Sequence, residues 1–455
     1  MNPNIFREYD IRGVVEEDLT PEVVEILGKS IGTYLRNQGK KNIVVGRDGR
    51  NSSSAFKEAI ISGLLSTGCN VTDLGVVPTP VFYFANHFLK KDGGVMITGS
   101  HNPPEYNGFK IMSGLETLWG DQILELYKII EKGRFIEEKG ANLFIYQIIP
   151  EYQKFLINNV HLKKKPIVVV DAGNGTGGVV AVPIYKQLGC NVHELYCEVD
   201  GNFPNHHPDP TIPEFLKDIV ENVKKNKADI GIAFDGDADR IGIIDDKGNI
   251  LWGDQIMIIL SRSILKDNPG ATIIAEVKSS KLLFEEIKKL GGHPIMWKTG
   301  HSLMKKKIRD ERALLAGEMS GHIFFADRYF GFDDAIYTGA RILEILSNTS
   351  NPLSSLLKDL PRTYFSPEIR IPSSDDLKFK VVEEMKKEFK DYPYINVDGV
   401  RINFEKGWAL VRASNTQPVL VMRFEADTEK DLEKIQSLIE KKVHEIKIKL
   451  KDTLA

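Results

Sequence analysis

The sequence predicts an α/β protein with three related α/β domains of mixed sheets and a smaller C-terminal α+β domain. The chain has 455 residues, which is too long for a single hydrophobic core. The order strand, helix, strand recurs three times, at residues 43–75, 167–196 and 271–297. After about residue 367 the pattern changes to a helix, alternating strands and a terminal amphipathic helix. We therefore expect domains at residues 1–148, 149–250, 251–365 and 366–455.

Each of the three repeats begins with an apolar strand, in the segments NIVVGRD, PIVVVD and ATIIAEV. The helix that follows ends at Gly68, Gly189 or Gly291, and the returning strand begins directly afterwards. Glycine adopts the left-handed backbone of a helix C-terminus at the lowest cost. Because crossovers between parallel strands are right-handed, the functional loops are expected at the carboxyl ends of the strands.

Composition and charge exclude several classes of protein. Apolar residues make up 42% and charged residues 27%, which is typical of a soluble globular chain. The net charge of −3 argues against nucleic-acid binding through a basic surface. Three cysteines, Cys69, Cys190 and Cys197, have no metal-ligand spacing and fit a reducing cytoplasm. We see no apolar signal region and no run approaching a membrane span, so we expect a cytoplasmic protein without membrane contact.

A serine stands on a turn directly after an apolar strand. Residues 95–97 are apolar, and the segment TGSHNPP that follows consists of turn-forming residues. This pattern places Ser100 on an exposed loop, with His101 beside it as a potential base. An ordinary polar turn is the alternative, because neighbours in sequence need not touch.

Three carboxylates stand at alternate positions in the segment DGDADR, residues 235–240, between two apolar strands. Such carboxylates repel one another unless a cation lies among them, and hard oxygen ligands suit Mg²⁺. An EF-hand loop does not fit, because its sixth and twelfth positions are Arg240 and Asp246 here. The segment predicts a Mg²⁺ site flanked by the positive charge of Arg240, with an exposed acidic turn as the alternative.

Two further polar segments follow strands. In GEMSGH, residues 317–322, the side chains of Glu318, Ser320 and His322 face one side if the backbone is extended, and this set suits the hydroxyls of a sugar. His301 lies shortly before and can add a proton-transfer group. In RASNTQP, residues 412–418, one guanidinium, two hydroxyls and an amide form a compact anion cradle. A structural turn remains the alternative for each segment.

A glycine-rich segment, residues 171–178, matches the dinucleotide-binding pattern G-x-G-x-x-G. It follows a strand, precedes a helix and has Glu198 about twenty residues further on, as such a site requires. However, the same strand-loop-helix order recurs twice elsewhere without these glycines. The glycines therefore serve either a nicotinamide cofactor or only the shape of a turn.

These motifs together resemble the α-D-phosphohexomutase family over essentially the whole chain and in the family's order. The matching segments are YDIRG at 9–13, TGSHNP at 98–103, DGDADR, GEMSGH and RASNTQP. The last two segments are similar to the phosphomannomutase/phosphoglucomutase branch.

The resemblance implies four domains around a central active-site cleft, with one loop from each. It implies that Ser100 is carried as phosphoserine beside Mg²⁺ held by Asp235, Asp237 and Asp239. The implied reaction is reversible phosphoryl transfer between the 1- and 6-positions of mannose or glucose phosphates. A hexose 1,6-bisphosphate, which also acts as activator, is the implied intermediate and must turn over within the site.

The resemblance also assigns roles to individual residues. The residues implied to act in catalysis are Ser100, His101, Lys110, Arg12, His301 and Arg240. The residues implied to bind the metal are Ser100, Asp235, Asp237 and Asp239. The residues implied to bind the substrate are Tyr9, Lys278, Glu318, Ser320, His322, Arg412, Ser414, Asn415 and Thr416.

Other functions use the same motifs. A phosphoglucosamine mutase shares the chemistry with a different sugar, a Mg²⁺-dependent phosphatase transfers the phosphoryl group to water, and a sensor binds sugar phosphates without catalysis. In every case the expected partners are small-molecule sugar phosphates, and the protein is expected to be a monomer or a dimer.

Overall fold

The computed structural model of the protein describes residues 1–415 and 417–454, with side chains described up to residue 450. This part of the chain forms four sheets and thirteen α-helices. Three sheets combine parallel and antiparallel pairs, and the fourth is antiparallel. The predicted fold class is confirmed. No described helix combines the length and apolar character needed to cross a membrane.

The first sheet has the strand order β1-β5-β4-β2-β3-β7, and β6 pairs with β5. Strands β4, β2, β3 and β7 are parallel, whereas β5 runs antiparallel to both β4 and β1. Its strands are β1 (Ile11–Val14), β2 (Asn42–Arg47), β3 (Asn70–Val76), β4 (Gly93–Ile97), β5 (Tyr106–Ser113), β6 (Glu116–Thr117) and β7 (Leu143–Ile145). The helices between them are α1 (Pro21–Arg36), α2 (Ser53–Ser66), α3 (Thr79–Phe88) and α4 (Asp121–Lys132).

The second sheet has the order β12-β11-β10-β8-β9, in which β10, β8 and β9 are parallel and β11 is antiparallel to β10. Its elements are α5 (Ile149–Asn159), β8 (Ile167–Asp171), α6 (Gly178–Gln187), β9 (Asn191–Leu195), α7 (Lys217–Asn226), β10 (Ile230–Phe234), β11 (Ile241–Asp245) and β12 (Ile250–Leu251).

The third sheet has the order β14-β13-β15-β16, and only its last pair is antiparallel. Its elements are α8 (Gly253–Asp267), β13 (Thr272–Glu276), α9 (Lys281–Lys289), β14 (His293–Trp297), α10 (His301–Glu311), β15 (Leu315–Gly317), β16 (Ile323–Phe325) and α11 (Ala335–Ser347).

The fourth sheet has the order β17-β22-β21-β20-β19, and β18 also pairs with β22. Its elements are β17 (Tyr364–Phe365), β18 (Ile369–Pro372), α12 (Asp375–Glu388), β19 (Tyr394–Ile395), β20 (Val400–Phe404), β21 (Gly407–Ala413), β22 (Val419–Ala426) and α13 (Glu429–Leu454). Short 3₁₀ helices occupy Pro3–Ile5, Pro213–Leu216 and Leu353–Ser355.

The three predicted strand-helix-strand repeats correspond to β2-α2-β3, β8-α6-β9 and β13-α9-β14, and each strand pair is parallel. Gly68, Gly189 and Gly291 end the three helices with φ values of +78°, +99° and +79°. Only glycine adopts this conformation without a steric cost, so the predicted caps are confirmed.

Two strands lie across the predicted domain boundaries. Strand β12 of the second sheet extends to Leu251, one residue beyond the expected boundary at 250. Strand β17 of the fourth sheet begins at Tyr364, before the expected boundary at 365, and pairs with β22 through Ala426. The exact positions of the domain boundaries therefore stay predictions.

One structural rule places the functional segments. Each predicted functional loop joins a strand to an antiparallel neighbour, in the pairs β4–β5, β10–β11, β15–β16 and β21–β22. We name them the serine loop (residues 98–105), the carboxylate loop (235–240), the glutamate loop (318–322) and the arginine loop (412–418).

The hydrophobic core distinguishes the first three sheets from the fourth. One continuous buried cluster includes Val44 of the first sheet, Val170 of the second and Ile273 of the third. The fourth sheet has a cluster of its own between its strands and helices α12 and α13. A small cluster of Val277, Trp408 and Leu410 joins the third sheet to the fourth.

Candidate active site

The serine loop presents Ser100 in an unusual backbone conformation. Its φ is +49°, in the left-handed region that few residues other than glycine adopt. The Ser100 side chain is buried, and its Oγ donates a hydrogen bond to Asp235 Oδ2 at 2.8 Å. The His101 Nδ1 atom lies 3.2 Å from the same Oγ. The serine therefore points at the carboxylate loop rather than into open solvent, and its neighbouring histidine contacts it.

The carboxylate loop brings its three aspartates together. Asp235, Asp237 and Asp239 are fully buried, and one oxygen of each lies within 4.8 Å of the others. Burial, reinforced by the two neighbouring carboxylates, raises the pKa of Asp235 well above its usual value. Burial acts in the same direction on the pKa of Asp237, but the nearby Lys110 ammonium lowers it overall. Three buried carboxylates beside two cations, Lys110 and Arg240, leave negative charge that favours a further cation.

The oxygens of this cluster fit a divalent metal ion. Lys110 Nζ lies 2.7 Å from Asp237 Oδ2 and also contacts Asp239 Oδ2. The other oxygens of these side chains, Asp237 Oδ1 and Asp239 Oδ1, are buried and have no hydrogen-bond partner within the described residues. Buried acceptors without partners are rare in folded proteins. Together with Asp235 and the Ser100 hydroxyl they form a set of hard oxygen ligands, the kind that Mg²⁺ prefers.

The glutamate loop is not extended, which corrects the geometry on which its prediction depended. Strands β15 and β16 are antiparallel neighbours, so the chain must reverse between them. The reversal is a tight turn, in which Glu318 N donates to His322 O at 2.9 Å and Gly321 adopts a φ of +90°. Ser320 Oγ nevertheless donates to Glu318 Oε2 at 3.2 Å, so the hydroxyl and the carboxylate lie together.

His322 connects the glutamate loop to the carboxylate loop. Its Nε2 accepts a hydrogen bond from Arg240 Nε at 3.0 Å, and its Nδ1 lies 2.9 Å from Asp333 Oδ2. Burial lowers the pKa of His322, but Asp239 and Asp333 outweigh this effect and raise it overall. Asp333 in turn lies 3.0 Å from Lys305 Nζ. The imidazole is therefore oriented by a carboxylate that has its own cationic partner.

His301 lies at the start of α10, with its ring centroid 5.8 Å from that of His322. Burial and the neighbouring Lys305 lower its pKa well below the usual value for histidine. Its Nδ1 is buried and has no hydrogen-bond partner in the described part of the chain. His101 is half-buried, and burial together with Arg240 and Arg12 lowers its pKa in the same way. Both imidazoles are neutral near pH 7.

The arginine loop is held by contacts to other segments. Arg412 is buried and donates from Nε to Asp398 Oδ2 at 3.1 Å, and Ser414 Oγ accepts from Gln417 N at 3.2 Å. Asn415 Nδ2 donates to the Tyr9 hydroxyl at 3.0 Å, and that hydroxyl donates to Thr299 O at 2.9 Å. Thr416, also predicted to bind substrate, lies outside the described residues.

Two more predicted cations lie at the edges of this arrangement. Lys278 follows β13, and its Nζ lies 3.0 Å from Glu368 Oε2 and 3.6 Å from Glu276 Oε1. Arg12 lies on β1, next to Gly108 of β5, and its Nη2 donates to Asp10 Oδ2 at 2.6 Å. Each is therefore paired with a carboxylate in the structure.

Contacts between the loops form a continuous series. Ser100 contacts Asp235, Arg240 contacts His322, and Glu318 Oε1 accepts from Gly300 N at 2.8 Å. Tyr9, which contacts Thr299, then connects this segment to the arginine loop. The structure thus brings all four predicted segments into one site.

Comparison with known proteins agrees with this arrangement. Four models of phosphoglucomutase/phosphomannomutase domains match the chain in order, with α/β/α domains I, II and III at residues 3–137, 150–248 and 252–364 and the C-terminal domain at 368–442. The chain belongs to the phosphoglucomutase/phosphomannomutase family.

Relatives within this family match over nearly the full chain. The phosphomannomutase/phosphoglucomutase of Pseudomonas aeruginosa is 48% identical over 437 residues, covering 96% of this chain and 94% of the relative. The phosphoglucomutase of Neisseria gonorrhoeae is 47% identical over 439 residues, covering 95% of each. The crystal structure of a phosphoglucomutase/phosphomannomutase family protein from Burkholderia thailandensis has a TM-score of 0.93 and 41% identity, and 98% of each chain is covered. The predicted family resemblance is confirmed.

In this member of the phosphoglucomutase/phosphomannomutase family, the glycine-rich segment supports the carboxylate loop. A side chain at Gly175 would place its Cβ 2.6 Å from Gly236 O, and Thr176 N donates to that same carbonyl at 3.0 Å. Gly178 packs in the same manner against the backbone of Cys197. The glycines therefore allow close backbone packing beneath the aspartates, which accounts for them without a dinucleotide.

Sequence reasoning missed several charged residues of the site, including the buried Asp333 and the half-buried Asp398. It also missed Arg50 and Asp48, which follow β2 and contact the serine loop. The position of Arg50 and Asp48 directly after a strand was a signal that could have found them. Because β2 and β4 are parallel neighbours, polar residues directly after β2 must lie beside the loop that follows β4. The sequence around Asp333 and Asp398 has no comparable pattern that predicts which loop they lie beside.

Proposed function

We propose that the protein transfers a phosphoryl group reversibly between the 1- and 6-positions of hexose phosphates, through phosphoserine at Ser100 and a hexose 1,6-bisphosphate. The observation that carries this proposal is the buried contact between Ser100 Oγ and Asp235, beside two carboxylate oxygens that have no hydrogen-bond partner in the described structure. A serine oxygen beside buried hard oxygen ligands is the arrangement that metal-assisted phosphoryl transfer requires.

Mg²⁺ is the metal ion that best fits these ligands. We assign its binding to Asp235, Asp237, Asp239 and the oxygens carried by Ser100. When bound, the ion neutralises negative charge on the transferring phosphoryl group. Lys110 adds a fixed positive charge, because Asp237 and Asp239 outweigh the effect of burial and raise its pKa well above the usual value. A lysine that stays protonated acts as an electrostatic clamp rather than as a base.

In the first half of the reaction the free hydroxyl of the sugar attacks the phosphorus of phosphoserine, and the bond from phosphorus to Ser100 Oγ breaks. The hydroxyl proton must pass to a base. Two imidazoles are placed for this transfer, and both are candidates. His301 has a buried Nδ1 without a hydrogen-bond partner in the described chain. His322 has an orienting carboxylate at Nδ1, and its Nε2 accepts from Arg240 Nε, so that hydrogen bond must break before Nε2 can take the proton.

The other half of the site holds the sugar and its second phosphate. Glu318 and Ser320 bind two ring hydroxyls, and Lys278, Arg412, Ser414 and Asn415 bind the phosphate that does not react, together with Thr416. We assign Tyr9 to substrate binding and Arg12 to a supporting role in catalysis. After the first transfer the bisphosphate turns over and presents its other phosphate to Ser100. Ser100 Oγ attacks that phosphorus, the bond from phosphorus to the sugar oxygen breaks, and the sugar oxygen takes a proton back from the base. The hexose monophosphate leaves as the isomer, and the phosphoserine is restored. Because only shared hydroxyls are bound, glucose and mannose phosphates both fit.

The test is an isomerisation assay with Mg²⁺ and catalytic glucose 1,6-bisphosphate, run on mannose, glucose and glucosamine phosphates. We expect isomerisation of mannose and glucose phosphates. Dominant turnover of glucosamine phosphate would identify a phosphoglucosamine mutase instead, and steady release of inorganic phosphate without isomer would identify a phosphatase. A sensor would bind the sugar phosphates without isomerising them and without releasing inorganic phosphate. A cytoplasmic location and a monomeric or dimeric state remain predictions.

A further inference from the structure

Arg50 is a buried residue outside the predicted catalytic set, yet its guanidinium contacts the backbone of the serine loop throughout. Its Nη1 donates to the carbonyls of Pro103 at 2.6 Å and Tyr106 at 2.9 Å. Its Nη2 donates to the carbonyl of Ser100 at 2.8 Å and also to that of Asn102. The four hydrogens of the two terminal nitrogens are therefore all used by carbonyls of this one segment.

The Nε edge and one face of the guanidinium are also in contact with other groups. Its Nε lies 3.3 Å from Asp48 Oδ2, and the same oxygen accepts from Gly99 N at 3.0 Å. A side chain at Gly99 would place its Cβ 2.3 Å from Arg50 Nε, so the loop backbone lies directly on the guanidinium. The ring of Phe203, from the second domain, lies 5.1 Å from the Arg50 Cζ atom. Four of the five guanidinium hydrogens are therefore used by carbonyls, and Nε, which lies beside Asp48 without a hydrogen bond, is covered by the loop backbone.

The conformation of Ser100 explains why such a support is needed. A non-glycine residue at a φ of +49° costs free energy unless neighbouring contacts hold it. The carbonyl of Ser100 is fixed between Arg50 and the carboxylate loop, where a side chain at Gly236 would lie 2.5 Å from it. Small displacements of reacting atoms lower rates strongly, by about 10²-fold for 1 Å.

From these contacts we infer that Arg50 is a positioning residue for phosphoryl transfer, which holds Ser100 in line with the carboxylate loop through the carbonyls of the serine loop. The inference rests on the proposed function of Ser100. It predicts that lysine cannot replace Arg50, because a single ammonium cannot span four carbonyls that a planar guanidinium reaches. The sugar and the distal phosphate are bound elsewhere, so their affinity should not depend on Arg50.

The experiment compares Arg50→Lys with the wild type and with Arg341→Lys as a matched control. Arg341 is also a buried arginine, paired through two hydrogen bonds with Asp327 on the far side of the third domain. For Arg50→Lys we expect kcat to fall by roughly 10²-fold with KM for hexose phosphate within about twofold of wild type. Arg341→Lys should lose similar thermal stability and retain the wild-type kcat.

A second measurement does not depend on activity. Hydrogen exchange of the backbone amides of residues 99–102 should be at least about tenfold faster in Arg50→Lys, and unchanged in Arg341→Lys. Exchange at the wild-type rate would overturn the inference, and so would a kcat within threefold of wild type or a loss confined to KM. An inactive wild type would instead contradict the proposed function, and the exchange rates would still test the positioning role.

If Arg50→Lys yields no folded protein, Phe203→Leu takes its place. This substitution removes the aromatic ring beside the guanidinium and leaves the hydrogen bonds of Arg50 in place. We expect kcat to fall several-fold with KM unchanged, together with faster exchange at residues 99–102. A wild-type kcat and wild-type exchange in a folded Phe203→Leu variant would overturn the inference.

Discussion

The serine loop and the arginine loop face the same site, but they are held by different means. The serine loop lies on a buried arginine, packs against the backbone of the carboxylate loop and belongs to the sheet that shares a continuous core with the next two. The arginine loop belongs to a sheet with its own core, and its exposed Asn415 reaches the first domain through one hydrogen bond to Tyr9.

This difference matches the two tasks of a mutase. Phosphoryl transfer needs fixed geometry, which buried and fully paired groups provide. Turnover of a bisphosphate needs a phosphate grip that can loosen, and the arginine loop belongs to a domain with a hydrophobic core of its own. The part of the site with fixed geometry and the part that can loosen meet between the third and fourth sheets, where Lys278 pairs with Glu368.

The largest effect is expected at the carboxylate loop. Asp237→Asn removes one charge from the metal ligands, and we expect kcat to fall on the order of 10³-fold with weaker Mg²⁺ binding by calorimetry. Asp245→Asn is the control, because Asp245 is buried at the opposite end of β11, where it accepts from the backbone of Lys247 and Asn249. Equal loss in the two variants would show that burial, rather than metal binding, explains the result.

Arg412→Ala tests the opposite side of the comparison. Arg412 is assigned to the phosphate that does not react, so its removal should raise KM by about 10²-fold and change kcat much less. This is the reverse of the pattern expected for Arg50→Lys, and steady-state kinetics of both variants in one assay would show it. A fall in kcat with unchanged KM would place Arg412 with the reacting groups instead.

The contact between the third and fourth domains should depend on acid pH. Burial acts to raise the pKa of Glu368, but Lys278 and Arg370 outweigh it and lower the pKa to about 2. Since an unfolded glutamate titrates near 4.5, the stabilisation is complete above that pH and is lost as the pH falls toward 2. We expect a contribution of about 2 kcal/mol after allowing for partial exposure.

Thermal unfolding midpoints between pH 5 and pH 3 check this prediction. Glu368→Gln should show a smaller decrease than the wild type over that range. Glu194→Gln is a suitable control, because Glu194 forms an exposed pair with Lys186 within the second domain. Identical acid dependence in wild type and Glu368→Gln would argue against a stabilising Lys278–Glu368 pair.

The smallest effect is expected for Tyr9→Phe. The tyrosine hydroxyl connects Thr299 of the third domain to Asn415 of the arginine loop, and its loss removes two neutral hydrogen bonds. At about 1 kcal/mol for such a contact, KM should rise several-fold while kcat stays near the wild-type value. A large loss of kcat would mean that Tyr9 takes part in the chemical step.

Local patterns predicted the fold and the loops well. Apolar strands, helices ending at Gly68, Gly189 and Gly291, and turn-forming residues after strands are all signals within a few residues of one another. The sequence left open whether the glutamate loop is extended or a turn, and it is a turn. The reversal between β15 and β16 depends on strand pairing that the segment itself does not reveal.

Buried charge pairs were missed for a related reason. Glu368 lies 90 residues from Lys278 in sequence, and Asp333 lies 28 residues from Lys305. Nothing near a charged residue in the sequence shows that a distant partner will make its burial favourable. Arg50 was missed as well, although the parallel pairing of β2 and β4 places residues that follow β2 beside the serine loop.

One labelling measurement tests the central role of Ser100 most directly. The protein is loaded from glucose 1,6-bisphosphate carrying a labelled phosphoryl group, separated from excess sugar and mixed with unlabelled hexose 6-phosphate and Mg²⁺. We predict one label per chain on Ser100 and its transfer to sugar at least as fast as steady-state turnover. Label that stays on the protein, or a Ser100→Ala variant that isomerises at the wild-type rate, would contradict the account.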